Sequence, residues 1–276
     1  MKKPIIWSVL LIAIFGAIAA NYYWRQQKAL APEPAPQAQA SAPEDKPAIE
    51  AEKTEPAIRF PIEDIKSPET AAQRPMTTLR LSESDPAMRE ALSGLFDRKS
   101  IDTFFRPDDI VRRIVATVDG LPRKTAAERT RPMLRTPGTF SSSGQDETLI
   151  LDQGNYRRYG PVVKLTEAID AKKLVALYVR YYAVFQEAYR ELGYPSGYFN
   201  DRLVEAIDNL LAAPAVTGPI KLVQPKVMYQ FEDPALEARS AGQKILIRMG
   251  PENAARIKAK LRELRREVTG QDFPKN

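Results

Sequence analysis

The chain has 276 residues, of which 43% are hydrophobic and 28% charged, and its formal net charge is +6. This length accommodates one packed domain with extensions. Cysteine and histidine are both absent, which excludes disulfides, thiol nucleophiles, Cys/His zinc sites and catalytic triads that use histidine. Any catalysis would use carboxylates, Lys, Tyr or Ser, and any metal would be a hard cation bound by oxygens. We expect no cofactor and no metal site.

An uncharged apolar run extends from Ile5 to Trp24. About 20 apolar residues in a helix span the roughly 30 Å hydrocarbon layer of a bilayer. Basic residues flank the run on both sides, and the aromatic cluster at its end suits the membrane interface. Residues 1–30 are therefore predicted to form a transmembrane anchor. The alternative is a signal peptide with a cleavage site at Ala17-Ile18-Ala19.

Residues 31–83 are rich in Pro, Ala and Glu, and nine prolines lie between positions 31 and 75. Such a stretch buries too little apolar surface to offset the entropy of ordering. We therefore predict a disordered tether over residues 31–83. One short interruption, residues 58–62, is apolar enough to dock on another surface.

Residues 84–276 are predicted to form a helical domain. Ser84-Asp85-Pro86 is typical of a helix start. Pro107 is predicted to open a second helix that Gly120 closes. Residues 121–148 then interrupt the helical pattern.

Helical periodicity returns after this interruption. Pro161 is predicted to start a short helix. Asp170 is predicted to cap the longest helix, which ends at Gly193, and Asn200 to cap the next one.

Towards the C-terminus the apolar pattern changes to a period of two residues. Residues 220–223 and 227–231 are predicted to form a small β-hairpin. Helical structure restarts at Asp233-Pro234, and the last helix begins at Gly250-Pro251. The predicted fold class is therefore mostly α: a helical domain with a small β-hairpin, preceded by one transmembrane helix and a disordered linker.

Several stretches resemble the bacterial domain-of-unknown-function family 3014 over roughly residues 85–268. They are FFRPDDIVRRIVATVDGLPR (104–123), LDQGNYRRYG (151–160), ELGYPSGYFNDRLVEAIDNLL (191–211), LVQPKVMYQFEDPALEARSAGQK (222–244) and RMGPENAARIKAKL (248–261). The resemblance implies a bacterial envelope protein with a single N-terminal anchor, and it implies no catalytic residues. Lysines before the apolar run favour a cytoplasmic N-terminus. We expect a single-pass protein of the inner membrane, with its C-terminal domain in the periplasm.

Two pairs of adjacent carboxylates, Asp108–Asp109 and Glu232–Asp233, raise the question of catalysis. A glycosidase uses two carboxylates across a cleft, so a carboxylate-dependent cell-wall glycan hydrolase is the enzymatic alternative. Each pair also lies beside a proline at a predicted helix start, where acids favour the helix dipole. Ser240 and Lys244 are likewise interpreted as part of a helix restart. We therefore expect a binding or scaffolding module.

Within the irregular stretch, residues 123–135 contain five basic residues and one acid, Glu128. We hypothesise that the basic residues contact an anionic partner, such as lipid headgroups or wall polymer; they are Arg123, Lys124, Arg129, Arg131 and Arg135. Long irregular insertions in compact domains are often functional. A merely solvated loop is the alternative.

A second candidate site lies in the connection around residues 194–200. Tyr194 and Tyr198 combine an apolar ring with a hydroxyl, which suits a half-exposed binding surface. We hypothesise that they line one groove with Asn200, Arg157 and Arg158. The groove would take an extended envelope ligand or a partner segment, with simple packing as the alternative. An envelope protein or cell-wall polymer is the expected partner, and nucleic acid is not expected for an exported domain.

Overall fold

The computed structural model describes residues 57–65, 76, 78–145 and 148–271. All of them belong to one structural unit, Thr54–Asn276. The predicted anchor, its signal-peptide alternative and most of the predicted tether lie outside the described residues. Within the described ranges, no helix is both long and apolar enough to cross a bilayer.

The described part of the chain is mostly helical, as predicted. Its α-helices are α1 (Ser84–Ser93), α2 (Arg98–Phe104), α3 (Ile110–Gly120), α4 (Gly154–Ala168), α5 (Ala171–Arg180), α6 (Tyr182–Glu191), α7 (Phe199–Leu211), α8 (Pro234–Glu237), α9 (Ala241–Arg248) and α10 (Pro251–Thr269). The last helix packs against α4, α5 and α7, while α3 packs against α1, α6 and α7.

In the described ranges, four short strands form two antiparallel pairs, β1 (Ser142–Ser143) with β2 (Ile150–Leu151) and β3 (Leu222–Val223) with β4 (Gln230–Phe231). The β3–β4 pair confirms the predicted hairpin, and in its register Leu222 faces Phe231. The β1–β2 pair was not predicted. An isolated bridge between Ile150 and Lys221 joins the two pairs.

Separate apolar clusters support the helices and the strand pairs. The helical cluster includes the buried residues Met88, Val111, Val184, Phe185 and Phe199. Its aromatic rings pack closely: Phe185 and Phe199 are stacked with their centroids 6.0 Å apart. The strand cluster contains Leu151, Ile220, Leu222, Phe231 and Ile247.

Several predicted helix ends are confirmed. The Asp170 carboxylate accepts hydrogen bonds from the backbone N–H groups of Lys172 and Lys173 at the start of α5. Asp233 caps α8 in the same way. The final helix runs from Pro251 to Thr269, and Gly270 after it adopts the left-handed conformation expected of a helix C-cap.

The start of α3 differs from the prediction. Asp109 has a φ of 51°, which no helical residue adopts, so α3 begins at Ile110 rather than near Pro107. The Asp85 carboxylate, from α1, accepts hydrogen bonds from the N–H groups of Asp109 (2.8 Å) and Ile110 (2.9 Å). The acid that caps α3 therefore comes from another helix.

Two further helix predictions need correction, and one helix was missed. Helix α4 starts at Gly154, and Pro161 lies inside it rather than at its start. The predicted single helix from Asp170 to Gly193 is two helices, because Tyr181 leaves helical geometry with φ −101° and ψ 12°. Helix α2 was not predicted; Asp97 caps it by accepting the Ser100 N–H.

Candidate functional site

Residues 57–65, here called the strap, lie against the start of α7. The Asp201 carboxylate accepts hydrogen bonds from the N–H groups of Arg59 (3.0 Å) and Phe60 (2.8 Å). The Tyr198 hydroxyl accepts the N–H of Ile62 (2.8 Å). The Asn200 amide donates to the Phe60 carbonyl (2.8 Å). We call these three side chains, Tyr198, Asn200 and Asp201, the strap groove.

The strap also buries apolar side chains. Ile65 is 7% exposed and belongs to a cluster with Val175, Val204 and Val268, against which Phe60 and Ile62 pack. Apolar contacts and four hydrogen bonds therefore fix the strap, a part of the stretch 31–83 predicted as a tether, to the domain. These contacts also confirm that residues 58–62 dock on another surface.

Asn200 is a core residue and not the predicted helix cap. It is fully buried inside α7, and its side-chain oxygen accepts the Tyr178 hydroxyl (3.2 Å). Gln186 supplies the missing acceptor, since its side-chain oxygen lies 2.8 Å from the N–H of Phe199. Burial raises the pKa of the Tyr178 hydroxyl well above its ordinary value, so it remains a neutral hydrogen-bond donor.

Tyr194 occupies a different setting. Its ring stacks on Tyr189 with centroids 4.6 Å apart. Its hydroxyl lies 3.5 Å from the Asp119 carboxylate and also contacts Arg123. Asp119 is 8% exposed and pairs with Arg202 (3.1 Å) and with Arg123 (2.9 Å). This arginine cluster, Asp119, Arg123, Arg202 and Tyr194, joins α3 to α7.

The two predicted arginines of the groove have other neighbours. Arg158 donates to the carbonyls of Pro137 (3.0 Å) and Gly138 (2.9 Å), and so fixes the irregular stretch to α4. Arg157 is exposed and has no ion-pair partner in the ranges that the structure describes. It lines a pocket of about 570 Å³ together with Asp152 and Tyr156. The structure thus brings Tyr198 and Asn200 together at the strap but gives Tyr194, Arg157 and Arg158 different contacts.

The five basic residues of residues 121–135 also divide into groups. Arg123 belongs to the arginine cluster, and Arg135 pairs with Glu128. Arg129 lines a pocket of about 380 Å³ with Arg112 and Arg113, both of which are already paired with acids. Lys124 and Arg131 have no ion pair among the described residues. Contact of these residues with an anionic partner stays a prediction.

The acidic pairs have local structural partners. Asp108 pairs with Arg113, and the hydrogen bond from this guanidinium lowers the pKa of Asp108. Arg112 lies 3.5 Å from Asp109. Glu232 pairs with Lys221 at 3.5 Å.

The Ser240–Lys244 interpretation is confirmed. The Ser240 hydroxyl accepts the Gln243 N–H at the start of α9, and Lys244 pairs with Glu237 at 2.8 Å. Over the described residues, no cluster of acidic side chains is arranged to hold a metal ion.

Sequence reasoning missed Asp201, which binds the strap, and Gln186, which holds the turn before α7. Asp201 carries no usable signal, because the helix dipole already explains an acid in the first turn of a helix, and its partners Arg59 and Phe60 lie far earlier in the chain. Gln186 carries none, since its partners, Gly197 and Phe199, are brought to it by the turn between α6 and α7.

These features define a helical domain that binds a preceding segment of its own chain, the strap, in a groove formed by its side chains. The model of a family described as "Protein of unknown function (DUF3014)" matches residues 110–265. This match covers more than half of the chain, so the chain belongs to that family, as its sequence stretches predicted. Comparison with curated proteins and with solved structures finds no match.

Proposed function

We propose that this protein is a membrane-tethered binding or scaffolding module of the bacterial cell envelope. The observation that carries the proposal is the strap, which connects the chain that follows the apolar run 5–24 to α7. A tether that ends in a strap is attached at a defined point on the domain. The four hydrogen bonds to the strap backbone hold that point in place.

In this proposal the strap marks the end of the predicted tether. If residues 31–56 are the spacer, about 26 residues separate the anchor from the docked chain. A flexible coil of that length has a mean reach of roughly 30 Å.

Arg157 supports the binding part of the proposal. An exposed guanidinium without an ion pair lines the 570 Å³ pocket, whose walls are both polar and apolar. Arginine binds carboxylate and phosphate groups in a bidentate manner. We propose that the pocket takes an envelope ligand that carries such a group. The carboxylates that a hydrolase would use are engaged in ion pairs and helix caps, so binding is proposed here and not catalysis.

Binding to purified cell-wall sacculi tests this proposal. The full chain should bind, Arg157→Ala should weaken binding at least about tenfold, which is the effect of losing roughly 1.4 kcal/mol, and added salt should weaken it further. Lys164→Ala is the matched control, because Lys164 is an exposed cation on the same helix. Equal binding by all three proteins would reject the proposed binding role of the pocket.

Membrane attachment is tested separately. The full chain should stay with membranes after alkaline extraction, and a version without residues 1–30 should be released. A reporter that is active only after export, fused after Asn276, should be active. A soluble full-length protein or a silent reporter would contradict the proposed location.

A further inference from the structure

The tip of the β3–β4 hairpin presents apolar side chains to solvent. Val227 is 84% exposed, Met228 75% and Val223 37%. Half of the exposed large hydrophobic residues in the described ranges therefore lie between positions 223 and 228. Scattered exposed hydrophobic residues are normal, but adjacent ones mark interaction surfaces. The tip, residues 223–228, is such a group.

The base of the hairpin is firmly held. Leu222 and Phe231 face each other across the strands and are 1% and 2% exposed. The Arg248 guanidinium lies 5.0 Å from the centre of the Phe231 ring and donates to the Tyr229 carbonyl (3.2 Å). The apolar tip is therefore projected by a packed base, and its exposure is a property of the fold.

The charge of the tip indicates the kind of surface that the tip would bind. Residues 222–231 contain Lys226 and no acid. Exposed apolar side chains beside a lysine suit the headgroup region of a bilayer with anionic lipids, where the apolar groups enter the acyl boundary and the cation meets phosphate.

We propose that the hairpin tip inserts into the headgroup region of an anionic bilayer and forms a second membrane contact of the protein. This inference rests on the proposed membrane tether. The chain outside the described unit contains the apolar run 5–24, and a spacer of about 26 residues reaches roughly 30 Å. Under that proposal, a bilayer is the surface to which the chain is attached.

The absence of cysteine makes a site-specific test straightforward. Val227→Cys in the full chain is labelled with an environment-sensitive fluorophore and reconstituted into vesicles of phosphatidylcholine alone or with phosphatidylglycerol. The label should shift to the blue and lose most of its fluorescence to a lipid-borne quencher in the anionic vesicles. Ser93→Cys, at the exposed end of α1, is the control and should show neither change.

A charge reversal sharpens the test. Lys226→Glu, combined with the label at 227, should reduce the quenching in anionic vesicles and leave that in neutral vesicles unchanged. If the label at 227 stays as water-exposed as the label at 93 while the protein remains vesicle-bound, the second contact is rejected and the tether stands. If the protein does not stay with the vesicles, both proposals fail. Shielding that requires an added envelope protein would replace the bilayer by a protein partner and overturn the inference.

Discussion

The strap groove and the hairpin tip use opposite residue types for opposite purposes. The groove consists of Tyr, Asn and Asp side chains, which are typical of ligand binding, yet the chain's own strap occupies all of them. The apolar and charged residues of the tip are Val, Met and Lys, which are typical of a core edge and a solvated turn, yet nothing in the described unit covers them. Residue type alone therefore does not tell which surface is free, because the answer depends on segments far away in the sequence.

The largest expected effect lies at Asp119, beside the groove. Asp119→Ala leaves the largely buried Arg202 without its main partner, and such a loss costs about 3 kcal/mol, the lower end for buried pairs, since Arg202 keeps Glu205. Urea unfolding measures the change. Arg123→Ala is the control and should cost less than about 1 kcal/mol, because Arg123 is exposed. An equal loss in the free energy of unfolding for both variants would show that the Asp119–Arg202 pair does not dominate the stability of the arginine cluster.

Asp201→Ala should have the next largest effect. It removes the acceptor of two strap N–H groups, and we expect a loss of about 2 kcal/mol in the free energy of unfolding. Cleavage by a protease within residues 57–65 should become much faster. Asp201→Asn keeps one acceptor oxygen, so its stability and its cleavage rate should lie between those of the parent protein and of Asp201→Ala. Unchanged cleavage in Asp201→Ala would mean that the apolar contacts of the strap suffice.

The hairpin base should respond to acid. Burial acts to raise the pKa of Glu237, but hydrogen bonds from Lys244 and from the Phe231 N–H outweigh it and leave this pKa below the ordinary value of 4.5. A carboxylate with a lowered folded-state pKa stabilises the fold above its unfolded pKa and loses this contribution as pH falls through its folded pKa. Glu237→Gln should cost roughly 1 kcal/mol at pH 7, and the difference should shrink below pH 4.5. A constant difference down to pH 3 contradicts the assignment.

The smallest effect is expected at the tip itself. Replacement of Val227 and Met228 together by serine should change the free energy of unfolding by less than about 0.5 kcal/mol, since neither side chain is packed. Thermal or urea unfolding of the full chain checks this. A loss above about 1 kcal/mol would show that the tip packs in solution, and the contrast with the groove would disappear.

The fold was predictable from sequence wherever the determinants are local. Asp170 caps the residues that directly follow it, Gly250-Pro251 and Gly270 delimit α10, and the period of two residues revealed β3 and β4. The failures have non-local causes. Asp85 reaches the start of α3 across 24 residues, and tertiary packing accommodates Pro161 within α4, where the pattern had indicated a helix start.

The candidate site was predictable to a smaller extent. The hypothesis grouped Tyr198 and Asn200 with Tyr194, Arg157 and Arg158 in one groove for an envelope ligand or a partner segment. The structure places residues 57–65 of the same chain against Tyr198 and Asn200, and binding of a separate ligand there stays a prediction. The hypothesis could not specify this occupant, because nothing in residues 194–200 encodes the position of a strap some 140 residues earlier. Arg157 and residues 223–228 are distinguished from similar residues by their exposure to solvent. Exposure is determined by the fold and could not be predicted from residue type.

The bond from Asp85 to the start of α3 has a consequence for folding order. A helix of 11 residues is marginal on its own in water, and α3 carries a left-handed aspartate in place of a self-capping residue. It therefore gains its N-terminal acceptor only when α1 is already beside it. We expect α1 and α3 to form as one cooperative unit, so that their amide protons become exposed to hydrogen exchange together, and Asp85→Ala should allow α3 to open while α1 remains protected.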